Sequence, residues 1–469
     1  MHRDNDDGTQ AEWFHRESTC RIGIAVGDIT PPIGIRAHNW GAAREGVAIG
    51  VHQPLAAGVV AIESPDGWRF IITVDLGWWQ SLEAFDRVVA PLVERIGVER
   101  DRVLLHLTHT HAGPSICETD VRLPGASLLD GYRELLVETL ARLVGDATSD
   151  AFDATVTWAY GSCDLAVVRD LPCGDRFAVG FNPDVVADST LLVGRVVDAN
   201  GNDRAVFVNY ACHPTTLGWD NHLISSDFMG QMRREVQQRI GAPCLFFQGA
   251  SGELSPREQY TADTAVADRH GRTLAYAVLS SLSNMAPPGV GLRLERVVES
   301  GAPLAIWSPS TRTPDSEQGF VRLDVEFECR RPMNDEELAE RWGNLDSDAA
   351  RERLTRAARL ADGYRDTNGK AKHPLHIWRL GEAVIVAHPG EAYSDLQLEL
   401  RRRHPHLAVA VLNLTNAPGF MYLPPRSAYA DDRYQVWQTL AEPGSLERLI
   451  EAADSHLQTF STIRTAERP

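Results

Sequence analysis

The chain has 469 residues, 43% of them hydrophobic and 23% charged, with a formal net charge of −18. That balance supports a large buried core, while the excess of negative charge repels nucleic acid and anionic membrane surfaces, so neither is an expected partner. No apolar run approaches the ~18 residues of a membrane span. The polar opening MHRDNDDGTQAEWFHREST lacks the pattern of a secretory signal, and the expectation is a soluble cytoplasmic protein without stable membrane insertion.

Residues 1–20 read as a disordered or poorly ordered segment. Residues 22–30 (IGIAVGDIT) then form a short strand running into Pro31-Pro32, and AAGVVAIES and WRFIITVDLG are two strands around the turn Ser64-Pro65-Asp66-Gly67. A helix, SLEAFDRVVAPLVERIG, precedes the strand VLLHLTH, and a second from about Leu128 to Val144 precedes ATVTWAYGS. The alternation continues through LLVGRVVDA, RAVFVNYACH, the helix FMGQMRREVQQRIG and the strand CLFFQGAS. After Pro287-Pro288-Gly289 come further strands, a charged helical stretch at 333–365 that reads as an insertion or lid, the strand HIWRLGEAVIVAHPGEAY, a helix ending at Pro405, and LAVAVLNLT. No repeat or low-complexity linker divides the chain. The expected fold is α/β, one large single mixed α/β domain over residues 21–469 with helical embellishments.

Several strands end on groups that can carry chemistry. LLHLTHTHAGPS places His109 and His111 two apart, where the apolar run gives way to Gly113-Pro114. Residues i and i+2 of a strand share a face, so both imidazoles could hold a metal, or one could hold it while the other moves protons. The run NYACHPTT stops at His213-Pro214, with His222 in the loop beyond, and VIVAHPGEAY stops at His388-Pro389-Gly390 and delivers Glu391. Zinc accepts imidazole nitrogen and carboxylate oxygen; hydrogen-bonded strand termini would leave the same pattern. Seven scattered cysteines without a CxxC pair argue against a thiolate cluster or a disulfide framework, and Cys212, beside His213, reads as a core thiol.

Taken together, these segments resemble the neutral, non-lysosomal ceramidases, a family of zinc-dependent amidases. GDITPPIG resembles the family's GDITGP, THTHAGP its THTHSGP, NYACHPTT its NWFAVHPTS, SSDFMG its SDNKG, and FFQGASGELSP its QSNVGDVSP; PGE and MYLPPRSAYADDRY resemble its late motifs. The resemblance covers roughly residues 22–440. It implies one zinc per chain, held by His109, His213, Glu391 and Tyr422, with His111 handling protons or orienting the substrate. It also implies Tyr434 against the substrate carbonyl, Arg169 in LAVVRDLP as an active-site arginine, and Ser255 as a candidate nucleophile that could equally be structural.

His222, Asp227 and Asp75 are candidate oxygen or nitrogen partners behind the ligands. The family's export signal and terminal immunoglobulin-like domain have no counterpart in the sequence, so the expected substrate is a soluble N-acyl compound cleaved by zinc-activated water. Ceramide, or ester, lactone and acyl-transfer chemistry at the same site, are the alternatives, with an inactive metal-binding scaffold as the non-enzymatic one. The sequence leaves the oligomeric state open.

Overall fold

The computed structural model describes residues 11–361, 366, 368–417 and 422–466. Its centre is an eight-stranded sheet. From one edge the strands are Cys244–Gln248, Asp203–Tyr210, Thr190–Asp198, Phe152–Ser162, Arg16–Asp28, Ala56–Ser64, Gly67–Val74 and Val103–Leu107. The inner pairs are antiparallel and the outermost pair at each edge is parallel. A four-stranded sheet, Gln318–Glu328, Lys370–Leu380, Ala383–Ala387 and Ala408–Leu412, packs against it through Val60, Ile62, Phe207, Trp378, Ile385 and Leu412.

The central strands are apolar on both faces because both faces are covered. In Ala56–Ser64, Val60 and Ile62 face the second sheet while Val59 and Ala61 face the helices Leu82–Ile96 and Leu129–Ser149. A half-solvated strand would alternate instead. Phe228–Ile240 and Thr264–Ser283 cover the other half of the large sheet, and Asp395–Arg403 and Ser445–Ala466 cover the small one. The fold is mixed α/β, as expected. Helix ends follow local chemistry: Ser81 accepts from Ala84 N at the start of Leu82–Ile96, and Gly97 closes it at φ 69°.

Three expectations change. Residues 1–10 lie outside the described residues, but Arg16–Asp28 is a strand paired on both sides, so order begins before residue 21. Its polar side chains mislead because Glu17 is buried and receives hydrogen bonds from Gly289 N and Thr157. The helices Thr264–Ser283 and Ser445–Ala466 were not anticipated. The helical stretch at 333–365 is two helices, Asp335–Trp342 and Ser347–Ala361, and residues 362–365 lie outside the described residues. Among the described residues no helix is long and apolar enough to cross a membrane.

Candidate metal centre and active site

Three chain segments that leave the two sheets converge on one buried point. His109 follows the Val103–Leu107 strand, His213 follows Asp203–Tyr210, and Glu391 follows Ala383–Ala387. The shared strand face proposed for His109 and His111 is incorrect, because the strand ends at Leu107 and His109 has φ 75°. That left-handed conformation is uncommon for a residue with a side chain. Hydrogen bonds from His109 N to Leu76 O (2.9 Å) and between His109 Nδ1 and Gly77 O (3.0 Å) hold it. The turn still brings the two rings to 4.9 Å.

Glu391 lies on the two-residue strand Glu391–Ala392, which pairs in parallel with Tyr422–Leu423 so that Glu391 sits opposite Tyr422. Glu391 Oε2 is 2.9 Å from His213 Nε2 and 3.3 Å from His109 Nε2. The donor atoms of His109, His213 and Glu391 all lie within 4.8 Å of one another, and all three residues are buried.

The tautomers follow from the partners. His109 Nδ1 faces Gly77 O and His213 Nδ1 faces Leu254 O, both at 3.0 Å. A carbonyl only accepts, so each Nδ1 carries hydrogen and each neutral ring presents a lone pair at Nε2. Burial, then the charge of Arg169, pushes His213 down to about 3, so a proton on His213 does not fill the gap near neutral pH. Two lone pairs and a carboxylate therefore aim at one point, and among the described residues His109 Nε2 makes no hydrogen bond there. This donor set fits a divalent cation.

Arg169 closes one side of the cluster. Its Nη2 lies 3.1 Å from Tyr422 Oη, 3.2 Å from His213 Nε2 and 2.7 Å from Gly252 O. Tyr422 Oη is 3.4 Å from His213 Nε2, within reach of the same point. Burial and the Glu391 charge raise its pKa well above the ordinary phenol value. Tyr434 packs edge-on against Tyr422 with ring centroids 5.6 Å apart.

His111 lies between Trp40 and Trp78, with centroids at 4.7 and 5.0 Å, and neither ring nitrogen has a hydrogen-bond partner among the described residues. It borders a small recess also lined by Asn39, Trp219, Asn221 and His222. Ser255 stands apart. It is fully buried on Leu254–Pro256, its Oγ bonds to none of these groups, and among the described residues it neither caps a helix nor satisfies a backbone donor.

The groups behind the ligands also differ from expectation. Asp75 is engaged by Arg233, Thr108 and Ala56 N, Asp227 caps Phe228–Ile240, and His222 lines the recess. The imidazoles use the Gly77 and Leu254 carbonyls instead, which side-chain identity cannot reveal because every residue has one. Cys212 packs in the apolar core. Sequence reading also missed Trp40, Trp78 and Arg356, which donates from Nη1 to Tyr434 Oη at 2.7 Å. The tryptophan-bearing loops NWG and GWW, each followed or preceded by glycine, were the visible trace of the first two.

No protein-family model matches the chain. Neutral ceramidase A of Dictyostelium discoideum is 26% identical over 228 residues, 46% of this chain and 31% of that protein. Neutral ceramidase of Pseudomonas aeruginosa is 27% identical over 259 residues, 50% of this chain and 37% of that protein. The aligned part thus spans about a third of these relatives' length. The crystal structure of neutral ceramidase from Pseudomonas aeruginosa superposes with a TM-score of 0.66 over 93% of this chain and 73% of that one, at 18% identity. A ceramidase complexed with C2 gives 0.62 over 92% and 74%, also at 18%. The chain has a neutral ceramidase-like fold.

Proposed function

We propose that this protein is a zinc-dependent hydrolase that cleaves the amide bond of an N-acyl compound. The convergence of His109 Nε2, His213 Nε2 and Glu391 Oε2 on one buried point carries the reading, and the names of the relatives support an amide as the bond cleaved. These three residues, with Tyr422 as fourth donor, would hold zinc, which when bound would supply the Lewis acidity to activate water near neutral pH and polarise a carbonyl.

The remaining residues divide the work. His111 takes the proton from the attacking water and returns it to the leaving nitrogen. Its ring nitrogens, unpartnered among the described residues, suit that exchange, and burial keeps its pKa well below the ordinary value so that it waits as the neutral base. Tyr434 and Arg169 donate to the oxygen on which negative charge develops. Arg169 is fixed for this by Gly252 O. Ser255 takes no step in this scheme.

For the substrate we favour a small or polar soluble amide. The recess beside His111 combines tryptophan faces with Asn39, Asn221 and His222, and the charged Ser347–Ala361 helix bounds the Tyr434 side. A second reading, N-acyl sphingosine, is favoured by the relatives' names.

The test offers zinc-depleted and zinc-reloaded protein a ceramide in detergent, short N-acetyl amines, N-acyl amino acids, acylated amino sugars and short esters. Zinc-dependent turnover of the soluble amides is expected. Turnover of ceramide alone would move the substrate to the second reading, and esters alone would change the reaction class. Zinc binding without turnover of any acyl compound would leave a scaffold and refute the hydrolase.

A further inference from the structure

The Ser347–Ala361 helix contributes to the site a side chain that no motif predicted. Arg356 Nη1 lies 2.7 Å from Tyr434 Oη, and its Nε lies 2.7 Å from Glu352 Oε1, one helical turn away. The helix is held over the site at both ends of this pair. Glu352 packs so closely on Gly41 that a Cβ there would come within 2.5 Å of Glu352 Cγ, and the neighbouring Trp40 lies against His111. On the other side the Arg353 guanidinium lies over Trp437, 5.1 Å from its centroid, and Trp437 packs against Tyr434 and Trp342. Arg341 of the preceding helix is paired with Asp432, two residues before Tyr434.

This contact has a directional consequence. A guanidinium has only donors, so Tyr434 Oη accepts from Arg356 and the phenolic hydrogen is turned elsewhere. Tyr422 and Trp437 fix the plane of the ring, but ring packing leaves the O–H free to rotate. The hydrogen bond from Arg356 removes that freedom. It also sets a full positive charge beside the phenol oxygen, and the Arg356–Glu352 pair is largely shielded from water, with side-chain exposures of 25% and 32%.

We propose that Arg356 is a positioning residue of this site, aiming the Tyr434 hydroxyl at the oxygen that becomes negative during amide cleavage. The inference rests on the reading of Tyr434 as a donor in the proposed hydrolysis. A donor already pointing at the developing charge costs no reorganisation when the reaction occurs. Arg356 thereby ties the inserted helix, which reads as a lid or wall, to the chemistry itself.

A double-mutant cycle on zinc-loaded protein tests this, with N-acetyl-4-nitroaniline as one substrate and an N-acyl sphingosine in detergent as the other. Arg356→Met should lower kcat about 10-fold to 100-fold, with little change in KM or zinc content. Arg356→Lys, which keeps a donor and a charge, should recover part of the loss. In a Tyr434→Phe background, Arg356→Met should cost less than about twofold more, because its effect passes through the hydroxyl.

A full, additive loss in that background overturns the proposal, as does unchanged kcat in Arg356→Met while Tyr434→Phe is impaired. Unchanged kcat in Tyr434→Phe overturns the reading of Tyr434 and the proposal with it, and so does absence of turnover of both substrates by the wild type. A fall in melting temperature without a fall in kcat would make Arg356 merely structural.

Discussion

Gly252 is where the site's packing can be tested without touching a proposed ligand. Its N–H donates to Ala392 O at 2.9 Å, and its carbonyl accepts from Arg169 and from Gln435 Nε2. A Cβ at this position would lie 2.8 Å from Tyr393 Cδ1, 2.9 Å from Glu391 O and 3.1 Å from Ala392 O. Ordinary contact begins near 3.4 Å, so the Gly252→Ala variant must push the Glu391–Ala392 strand back by about 0.5 Å. Two of the three obstacles are backbone atoms, which cannot rotate away. Overpacking of this kind costs about 1–3 kcal/mol, a fall of a few degrees in melting temperature for a chain of this size. The functional cost should be larger, since a displacement of 1 Å can lose ~100-fold in rate and half of it should lose about 10-fold. The assay is kcat/KM on the best soluble amide, with zinc affinity and thermal unfolding measured in parallel. Gly131→Ala is the control, because a Cβ there meets nothing within 4 Å on an exposed helix face, and it should stabilise by about 0.5–1 kcal/mol. If Gly252→Ala kept wild-type turnover and zinc affinity, the tight coupling of this loop to Glu391 would be wrong.

Replacing His213 by alanine should remove zinc and turnover together; elemental analysis showing full zinc would remove His213 from the ligand set. His111→Ala should keep zinc and lose turnover by about 100-fold to 10,000-fold, and loss of metal would instead make His111 a ligand. Glu253 concerns stability. Its carboxyl accepts from Ser394 N at 3.0 Å, and burial, outweighing the Ser394 hydrogen bonds, pushes it up to about 8 from 4.5. Because the folded value exceeds the unfolded one, its contribution is complete below about pH 4.5 and fades as pH rises through about 8. Glu253→Gln should flatten the decline of melting temperature across that window, and an unchanged pH profile would refute the assignment.

Much of the site was legible because its residues end apolar strands. An apolar run that stops at His213-Pro214, or at Pro389-Gly390 before Glu391, announces a buried strand delivering a polar group to a boundary, and that requires only local patterning. The roles given to Tyr422, Tyr434 and Arg169 came from resemblance to the ceramidases, since a lone tyrosine or arginine has no local signature of its chemistry.

The amino-acid sequence by itself determined the alternation of helices and strands, the absence of a cysteine framework and the histidine and carboxylate candidates, all set by interactions between near neighbours along the chain. Tertiary structure alone decided that His109 turns through φ 75°, that carbonyls rather than Asp75 or Asp227 orient the imidazoles, that Glu391 stands opposite Tyr422, and that a helix from the insertion brings Arg356 to Tyr434. Each of these depends on backbone groups or on partners tens of residues apart. Such contacts form only where two sheets and their covering helices close around one core, and no periodicity in the sequence records which ends will meet.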